Sequence, residues 1–189
     1  MPAVPGHPLR LPVTEYLPAG DFGAWLAELA AALRGEGDTD VACGSCVGCC
    51  SSSQFILVEA DERNALANIP SELLFPAPRM PKGNMLLGYD ERGRCPMLSD
   101  QGCTIYEHRP RTCRTYDCRV FPAAGVFPDE PEKALVAERA RRWEFSYADD
   151  GDRALHDAVL AAAATIEREE PMPATPVAVR AVRSVIDRA

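Results

Sequence analysis

Eight cysteines are the residues of this sequence whose type and spacing could do chemistry. Four of them fall within eight residues in the pattern C-x2-C-x2-C-C, and we call them the upstream cysteines: Cys43, Cys46, Cys49 and Cys50. Thiolates are soft ligands that select zinc, iron–sulfur clusters or copper(I) over magnesium or calcium. On a regular helix each three-residue step falls about 60° short of a full turn, so these ligands would fan out. The segment is therefore predicted to be a loop wound around a metal, a shape that Gly44 and Gly48 allow.

The other four cysteines, which we call the downstream cysteines, are more widely spaced: Cys95, Cys103, Cys113 and Cys118. The adjacent Cys49 and Cys50 are expected to point apart, so that one of them serves a second metal, a second cluster edge or a structural role. Eight thiols fit two sites of four thiolates, or one four-thiolate cluster with extra ligands, and their spacing does not fix the pairing. In either case the two sets are predicted to converge in space around the metal.

The composition points to a reducing compartment. The chain has 189 residues, 47% of them hydrophobic, and a formal net charge of −8, so nucleic acid and anionic membranes are not expected partners. The N-terminus shows no secretory signal and no apolar run is long enough to span a bilayer. We therefore expect a cytoplasmic protein whose cysteines are metal ligands and not disulfides. The abundance of arginine, alanine and proline suggests a GC-rich bacterial genome.

The cysteines and the residues between them resemble a known family. The upstream pattern is followed by C-x-x-L, C-x-I-Y-x-x-R-P and C-R-x-Y-x-C, as in the YkgJ-like, or CxxCxxCC, cysteine-cluster proteins of bacteria and archaea. The resemblance covers about residues 41–122 and implies a zinc- or iron-chelating domain, with all eight cysteines as the ligands. Flagellin lysine methylases look like distant relatives with a similar cluster that holds iron–sulfur. The family supplies no reaction.

Iron and zinc are both compatible with this pattern. C-x2-C-x2-C matches the closely spaced ligands of a bacterial ferredoxin-type [4Fe–4S] cluster, and the remote Cys95, which precedes Pro96, has the form of the fourth ligand. Paired C-x2-C units with remote cysteines also make structural zinc sites. The three-cysteine spacing favours an iron–sulfur cluster or iron, with zinc as the alternative.

Other polar residues near the cysteines have weaker patterns. His108 is expected to be an exposed histidine at a helix end, although it could be a further ligand or a general base. Four arginines could neutralise an anionic cluster or bind an anionic ligand, or could simply be solvated: Arg109, Arg111, Arg114 and Arg119. Tyr106 and Tyr116 are expected to be packing residues.

Three function classes remain open. One is a metal-binding module whose cluster is structural or transfers electrons, and another is an iron–sulfur enzyme with an open coordination site. The third is a metal chaperone or redox sensor. The sequence identifies no substrate and no protein partner.

The elements that must position the cysteines are predicted to form a mainly helical α+β fold with short strands, a small metal-stabilised cysteine-cluster domain flanked by helices. Its parts are an arm and helix (1–40), the cysteine domain (41–122) and C-terminal helices packed on it (123–189). Asp21 is the predicted cap of a helix over residues 21–34, whose apolar face comprises Phe22, Trp25, Leu26, Leu29 and Leu33. Residues 1–20 are expected to form a surface arm.

Between the two cysteine sets we predict a strand over residues 55–58, a helix over 62–69 capped by Asp61, an irregular stretch over 73–81 and a hairpin around residues 90–93. Thr104 and Glu107 have capping-box spacing, so a helical turn should follow Cys103. Further helices are predicted over 131–143, over 152–169 with Asp152 as cap, and from Thr175 onward, the last one loosely attached.

Overall fold

Helices make up most of the regular structure. The structure is a computed structural model and describes residues 15–39, 41 and 43–188. Within these residues the α-helices are α1 (Phe22–Leu33), α2 (Arg63–Asn68), α3 (Arg111–Arg114), α4 (Val120–Ala124), α5 (Ala134–Ala140), α6 (Asp150–Glu169) and α7 (Ala174–Ile186). The strands are β1 (Leu17–Asp21), β2 (Ile56–Val58), β3 (Leu74–Pro76), β4 (Met85–Leu87), β5 (Leu98–Ser99), β6 (Gly102–Cys103) and β7 (Trp143–Ser146). The predicted α+β class, mainly helical with short strands, is confirmed.

Helix α1 begins as its sequence predicts. The Asp21 carboxylate accepts a hydrogen bond from the Ala24 N–H at 3.2 Å, which satisfies one of the free N–H groups of the first turn. The predicted apolar face is buried except at Leu33, which is 39% exposed near the end of the helix. The predicted arm is wrong for residues 17–20, which belong to strand β1, whereas residues 1–14 lie outside the described part of the chain.

Strand β1 pairs in parallel with β7, which lies far along the chain. The helix predicted over residues 131–143 is therefore too long, since α5 ends at Ala140. The reason is visible in the burial of β7, where Trp143 and Phe145 are buried and Glu144 and Ser146 are exposed. This two-residue period is that of a strand with one buried face.

Helices α1, α4, α6 and α7 pack around one apolar core beside this strand pair. Asp149, and not the predicted Asp152, caps α6 by accepting the Asp152 N–H at 3.0 Å. Helix α7 is not loosely attached, because five of its side chains are buried in the core: Val177, Ala178, Ala181, Val182 and Val185. None of the helices in the described residues has both the length and the apolar character needed to cross a membrane.

A second, smaller core lies under an antiparallel sheet of order β2-β4-β3. It contains Val58, Ala65, Ile69, Leu87, Met97 and Ile105. The predicted strand at 55–58 is present as β2, but the stretch predicted to be irregular supplies β3, whose Pro76 is tolerated because β3 is an edge strand. The predicted hairpin is wrong, since β4 pairs with β2 and β3. Residues 90–93 do form a turn, in which the Gly93 N–H donates to the Asp90 carbonyl at 2.9 Å.

Two predicted caps are also wrong. Helix α2 begins after Glu62 and has no side-chain cap from Asp61. The Thr104 hydroxyl donates to the Met97 carbonyl at 3.1 Å, because β5 and β6 form a short hairpin that brings these residues together. The helical turn expected after Cys103 is present as a 3-10 turn at Tyr106–His108, without a side-chain cap.

Candidate metal centre

All eight cysteines line a single cavity of about 500 Å³. Each of them lies in the described residues, and none forms a disulfide. The upstream and downstream sets, separated by more than forty residues of chain, thus face one space. The expected convergence of the two sets is confirmed.

The upstream cysteines occupy a tight loop, as predicted. The Cys46 N–H donates to the Cys43 carbonyl at 2.9 Å, and the Gly48 N–H points at the Cys46 sulfur at 3.5 Å. Cys49 and Cys50 begin a 3-10 turn, Cys49–Ser51. Gly48 packs closely on helix α5, because a Cβ there would lie 3.3 Å from the backbone of Leu135.

The two cysteine sets are joined through the backbone. The Cys95 N–H donates to the Cys50 carbonyl at 2.7 Å, and the Ser53 N–H donates to the Gly93 carbonyl at 2.9 Å. The chain between them leaves the site, forms the three-stranded sheet and returns to the point it left. Cys95 is thereby held next to the upstream loop.

Cys113 is positioned by a buried carboxylate. Its short helix α3 begins at Arg111, whose backbone N–H donates to the Glu62 side chain. Glu62 also accepts the Glu59 N–H at 2.8 Å and is 5% exposed at its side chain. The Thr112 hydroxyl donates to the Leu57 carbonyl in β2 at 2.8 Å, which fixes the helix against the sheet.

Cys118 is the most buried of the eight and has a side-chain partner. The indole N–H of Trp143 donates to its sulfur, with Nε1 and Sγ 3.1 Å apart. The Arg139 guanidinium lies over the Trp143 ring, 4.7 Å from its centroid, and donates to the Cys43 carbonyl at 3.5 Å. Arg139 also lines the cavity. Neither residue was identified from the sequence, because both lie well beyond the last cysteine and outside every cysteine motif.

A buried ion pair lies behind Cys118. A guanidinium nitrogen of Arg119 lies 2.7 Å from a carboxylate oxygen of Asp117, and both side chains are buried. Asp117 also accepts the Trp25 indole N–H at 2.9 Å, and Arg119 donates to the Ala19 carbonyl at 3.0 Å. The pair therefore ties the segment after Cys118 to α1 and β1. A buried charge needs such complete pairing because desolvation is costly.

The arrangement favours the protonated form of five of the thiols, those of Cys43, Cys49, Cys95, Cys113 and Cys118. Burial, with added repulsion from neighbouring thiolates, raises the pKa of Cys113 and of Cys118 to about 12. Burial also raises the pKa of Cys43 and Cys95. The pKa of Cys49 is raised first by a hydrogen bond with the Cys50 side chain and then by burial. Both of these neighbours line the cavity.

The four arginines near the cysteines have different surroundings. Arg119 is paired with Asp117 as described, and Arg111 pairs with Glu59 and Asp61 outside the cavity. Arg114 and Arg109 line the cavity, and Arg114 pairs there with Asp38 at 2.7 Å.

Arg109 lies over the Tyr106 ring, 3.5 Å from its centroid. Together with Arg139 it lowers the pKa of Cys43, and it also lowers that of Cys113, although burial keeps both values raised. Arg109 and Arg139 are thus the cations placed to offset thiolate charge.

His108 and the two tyrosines also have defined places. His108 does not line the cavity, and its Nδ1 lies 3.0 Å from the Asn64 side-chain nitrogen. Tyr106 is exposed at the cavity and stacks with Arg109, whereas Tyr116 lines the cavity and packs on the helical core. Burial raises the pKa of Tyr116.

The donor set of the cavity fits a soft metal or cluster. Eight thiols and no imidazole line it, and thiolates suit zinc and iron–sulfur centres. As they are placed, no three Cys, His, Asp or Glu side chains in the described part of the chain are positioned to hold one ion. Metal binding would therefore draw the thiols inward from the cavity wall.

Comparison with known proteins gives one match. A family model described as "CxxCxxCC: Putative zinc- or iron-chelating domain" matches residues 42–141, more than half of the chain. No curated protein and no solved structure matches the chain.

Proposed function

Because the chain belongs to the CxxCxxCC family of zinc- or iron-chelating domains, we propose that it is an iron-binding protein whose eight cysteines hold iron–sulfur. The observation that carries this proposal is that all eight thiols line one cavity of about 500 Å³. Four sulfurs around a single zinc, with bonds of about 2.3 Å, lie within about 4 Å of one another. Eight sulfurs around a space of this size suit a polynuclear centre better than one tetrahedral ion.

Iron is favoured over zinc by the spacing of the upstream cysteines. C-x2-C-x2-C supplies three ligands to one cluster in bacterial ferredoxins. A bound iron–sulfur cluster supplies one-electron chemistry, and hydrogen bonds to sulfur tune its potential. The protein would contribute the N–H groups of Gly48 and Trp143, which point at Cys46 and Cys118.

The function class that we propose is a metal-binding module with a structural or electron-transfer centre. Eight reduced thiols suit the cytoplasm, where glutathione and thioredoxin keep cysteines reduced. The metal would also stabilise the fold, because the segment from Cys43 to Cys118 is built largely of turns and two- or three-residue strands.

Purification without oxygen from cells supplied with iron tests the identity of the metal. We expect brown protein with iron and acid-labile sulfide, and visible absorption that bleaches with dithionite. A colourless preparation with zinc in place of iron would overturn the iron proposal and favour the zinc alternative.

The structural role of the metal has its own test. Cys46→Ser and Cys113→Ser should lower thermal stability and yield, whereas His108→Ala, outside the cavity, should not. Equal thermal stability of the three variants and the wild type would contradict a metal that stabilises the fold.

A further inference from the structure

The eight cysteines are not spread evenly around the cavity. Three are linked through contacts that include Trp143 and form the tryptophan-side group: Cys43, Cys46 and Cys118. Three lie beside the small sheets and form the sheet-side group: Cys95, Cys103 and Cys113. We propose that each group builds one metal site, and that the Cys49–Cys50 pair between them supplies the fourth thiolate to each. This inference rests on the proposed function in that the cavity holds metal, but it does not depend on which metal.

A series of contacts links the members of the tryptophan-side group. Trp143 donates to the Cys118 sulfur, Arg139 lies over the Trp143 ring, and Arg139 donates to the Cys43 carbonyl. The Cys46 N–H donates to that same Cys43 carbonyl at 2.9 Å. Residues from three separate parts of the chain therefore surround one end of the cavity. Cys118 belongs to the helical core at this end.

The sheet-side group is attached to the other core. Cys95 and Cys103 pack against the small core under the β2-β4-β3 sheet. Leu98 links them, because its N–H donates to the Cys95 carbonyl at 3.0 Å and it pairs with Cys103 across the β5–β6 hairpin. Cys113 is held at the same end through Thr112, which donates to the Leu57 carbonyl in β2.

The Cys49–Cys50 pair lies between the groups. The pair begins the turn Cys49–Ser51, which follows Cys46 in the upstream loop, and both cysteines line the cavity. The Cys50 carbonyl accepts the Cys95 N–H at 2.7 Å. Three thiols on each side and one from the pair make four, which is the number that a structural zinc or a cubane cluster takes.

Serine substitutions combined within and between the groups test this division. Cys118→Ser or Cys103→Ser alone should halve the metal per chain. Cys46→Ser with Cys118→Ser, both in one group, should leave that half in place, whereas Cys118→Ser with Cys103→Ser should remove nearly all of it. Complete loss of metal from either single variant, or from the within-group double variant, would overturn the proposal, provided that circular dichroism shows a folded chain.

A measurement on the unsubstituted protein covers the case in which the variants do not fold. The protein is treated with a chelator until half of its metal is lost, released thiols are alkylated with iodoacetamide, and the labelled peptides are identified by mass spectrometry. We expect the label to fall together on the cysteines of one group. Intact masses of the labelled chains in which the number of labels rises one by one, with no excess at four, would overturn the division.

The two proposals fail separately. Metal analysis of the same samples identifies iron or zinc, so a zinc protein that loses its metal in halves would refute the iron proposal and support the two sites. An iron protein that loses all of its metal in every variant would support the iron proposal and refute the two sites.

Discussion

The indole nitrogen of Trp143 lies 3.1 Å from the sulfur of Cys118, and both side chains are buried. Trp143 owes this position to the parallel pairing of its strand with β1, where it lies opposite Leu17. The pairing of β7 with β1 thus positions Trp143 to contact one of the proposed ligands directly. Because an N–H group stabilises the thiolate and not the thiol, this hydrogen bond favours the metal-binding form of Cys118.

Removing this donor should weaken metal retention. Trp143→Phe keeps an aromatic ring but has no N–H, and a hydrogen bond to a charged group contributes about 1.5–3 kcal/mol. We therefore expect metal release to a chelator to be about tenfold faster or more. Trp25→Phe is the matched control, because that indole donates to Asp117 and not to a cysteine. Equal release rates for Trp143→Phe and the wild type would contradict a role for the hydrogen bond.

The metal-free protein should lose stability in alkaline solution. The pKa of Cys113 and Cys118 is about 12 in the folded chain, against an ordinary value of 9.0. Between these values the unfolded chain gives up protons that the folded chain keeps, so stability is fully present below pH 9.0 and falls as the pH rises. Thermal unfolding of chelator-treated, reduced protein measures this, and Cys113→Ala should flatten the decline. A metal-free protein equally stable across this range would refute the prediction.

His156 should give a separate dependence on acid. Its ring stacks on Phe22 with centroids 4.3 Å apart, and its Nδ1 lies 2.7 Å from the Tyr147 hydroxyl. Burial lowers the pKa of His156 from 6.5, and the Pro122 carbonyl offsets only part of this. The unfolded chain therefore takes up a proton first, and stability falls as the pH drops below 6.5.

The measurement for His156 is the unfolding temperature as a function of pH. In His156→Phe the unfolding temperature should fall less at acid pH than it does in the wild type. The control is His108→Gln, because the His108 ring contacts Asn64 outside the cavity, and this variant should show the same fall as the wild type. Identical pH profiles for the wild type and His156→Phe would show that this histidine is not responsible.

Glu62 should be needed for stability although it is not a ligand. Its buried carboxylate accepts the backbone N–H groups of Glu59 and Arg111, at the start of the helix that carries Cys113. Glu62→Gln keeps the size but loses the charge, and should cost about 1.5–3 kcal/mol of unfolding free energy in urea. Glu72→Gln, at an exposed site, is the control. A cost under about 0.5 kcal/mol, typical of surface substitutions, would contradict this role.

The parts of the molecule that sequence predicts are those fixed by local rules. The Asp21 cap and the apolar face that follows it depend on residues within a few turns of one another. The upstream loop follows from a ligand spacing that a helix cannot use. Helix α1 and the upstream loop could therefore be predicted without any knowledge of the rest of the chain.

The parts that sequence did not predict depend on distant partners. The alternating burial of Trp143 and Phe145 indicates a strand only when β1 is available beside it. Thr104 has the spacing of a cap, but the β5–β6 hairpin directs its hydroxyl to the Met97 carbonyl. Long-range pairing of this kind overrides local preference, which also explains why Arg139 was not recognised beside the cavity.

The backbone hydrogen bond between Cys95 and Cys50 affects where the sequence can tolerate insertions. The residues between Cys50 and Cys95 form a long loop whose two ends lie together at the site. The loop between β3 and β4, residues 78–83, is exposed at the surface. Doubling the length of a flexible loop costs only about 0.6 kcal/mol in closure entropy. Extra residues inserted at 78–83, even a whole domain, would therefore leave the positions of the cysteines unchanged. The protein could gain a further domain beside the site without any change in the site itself.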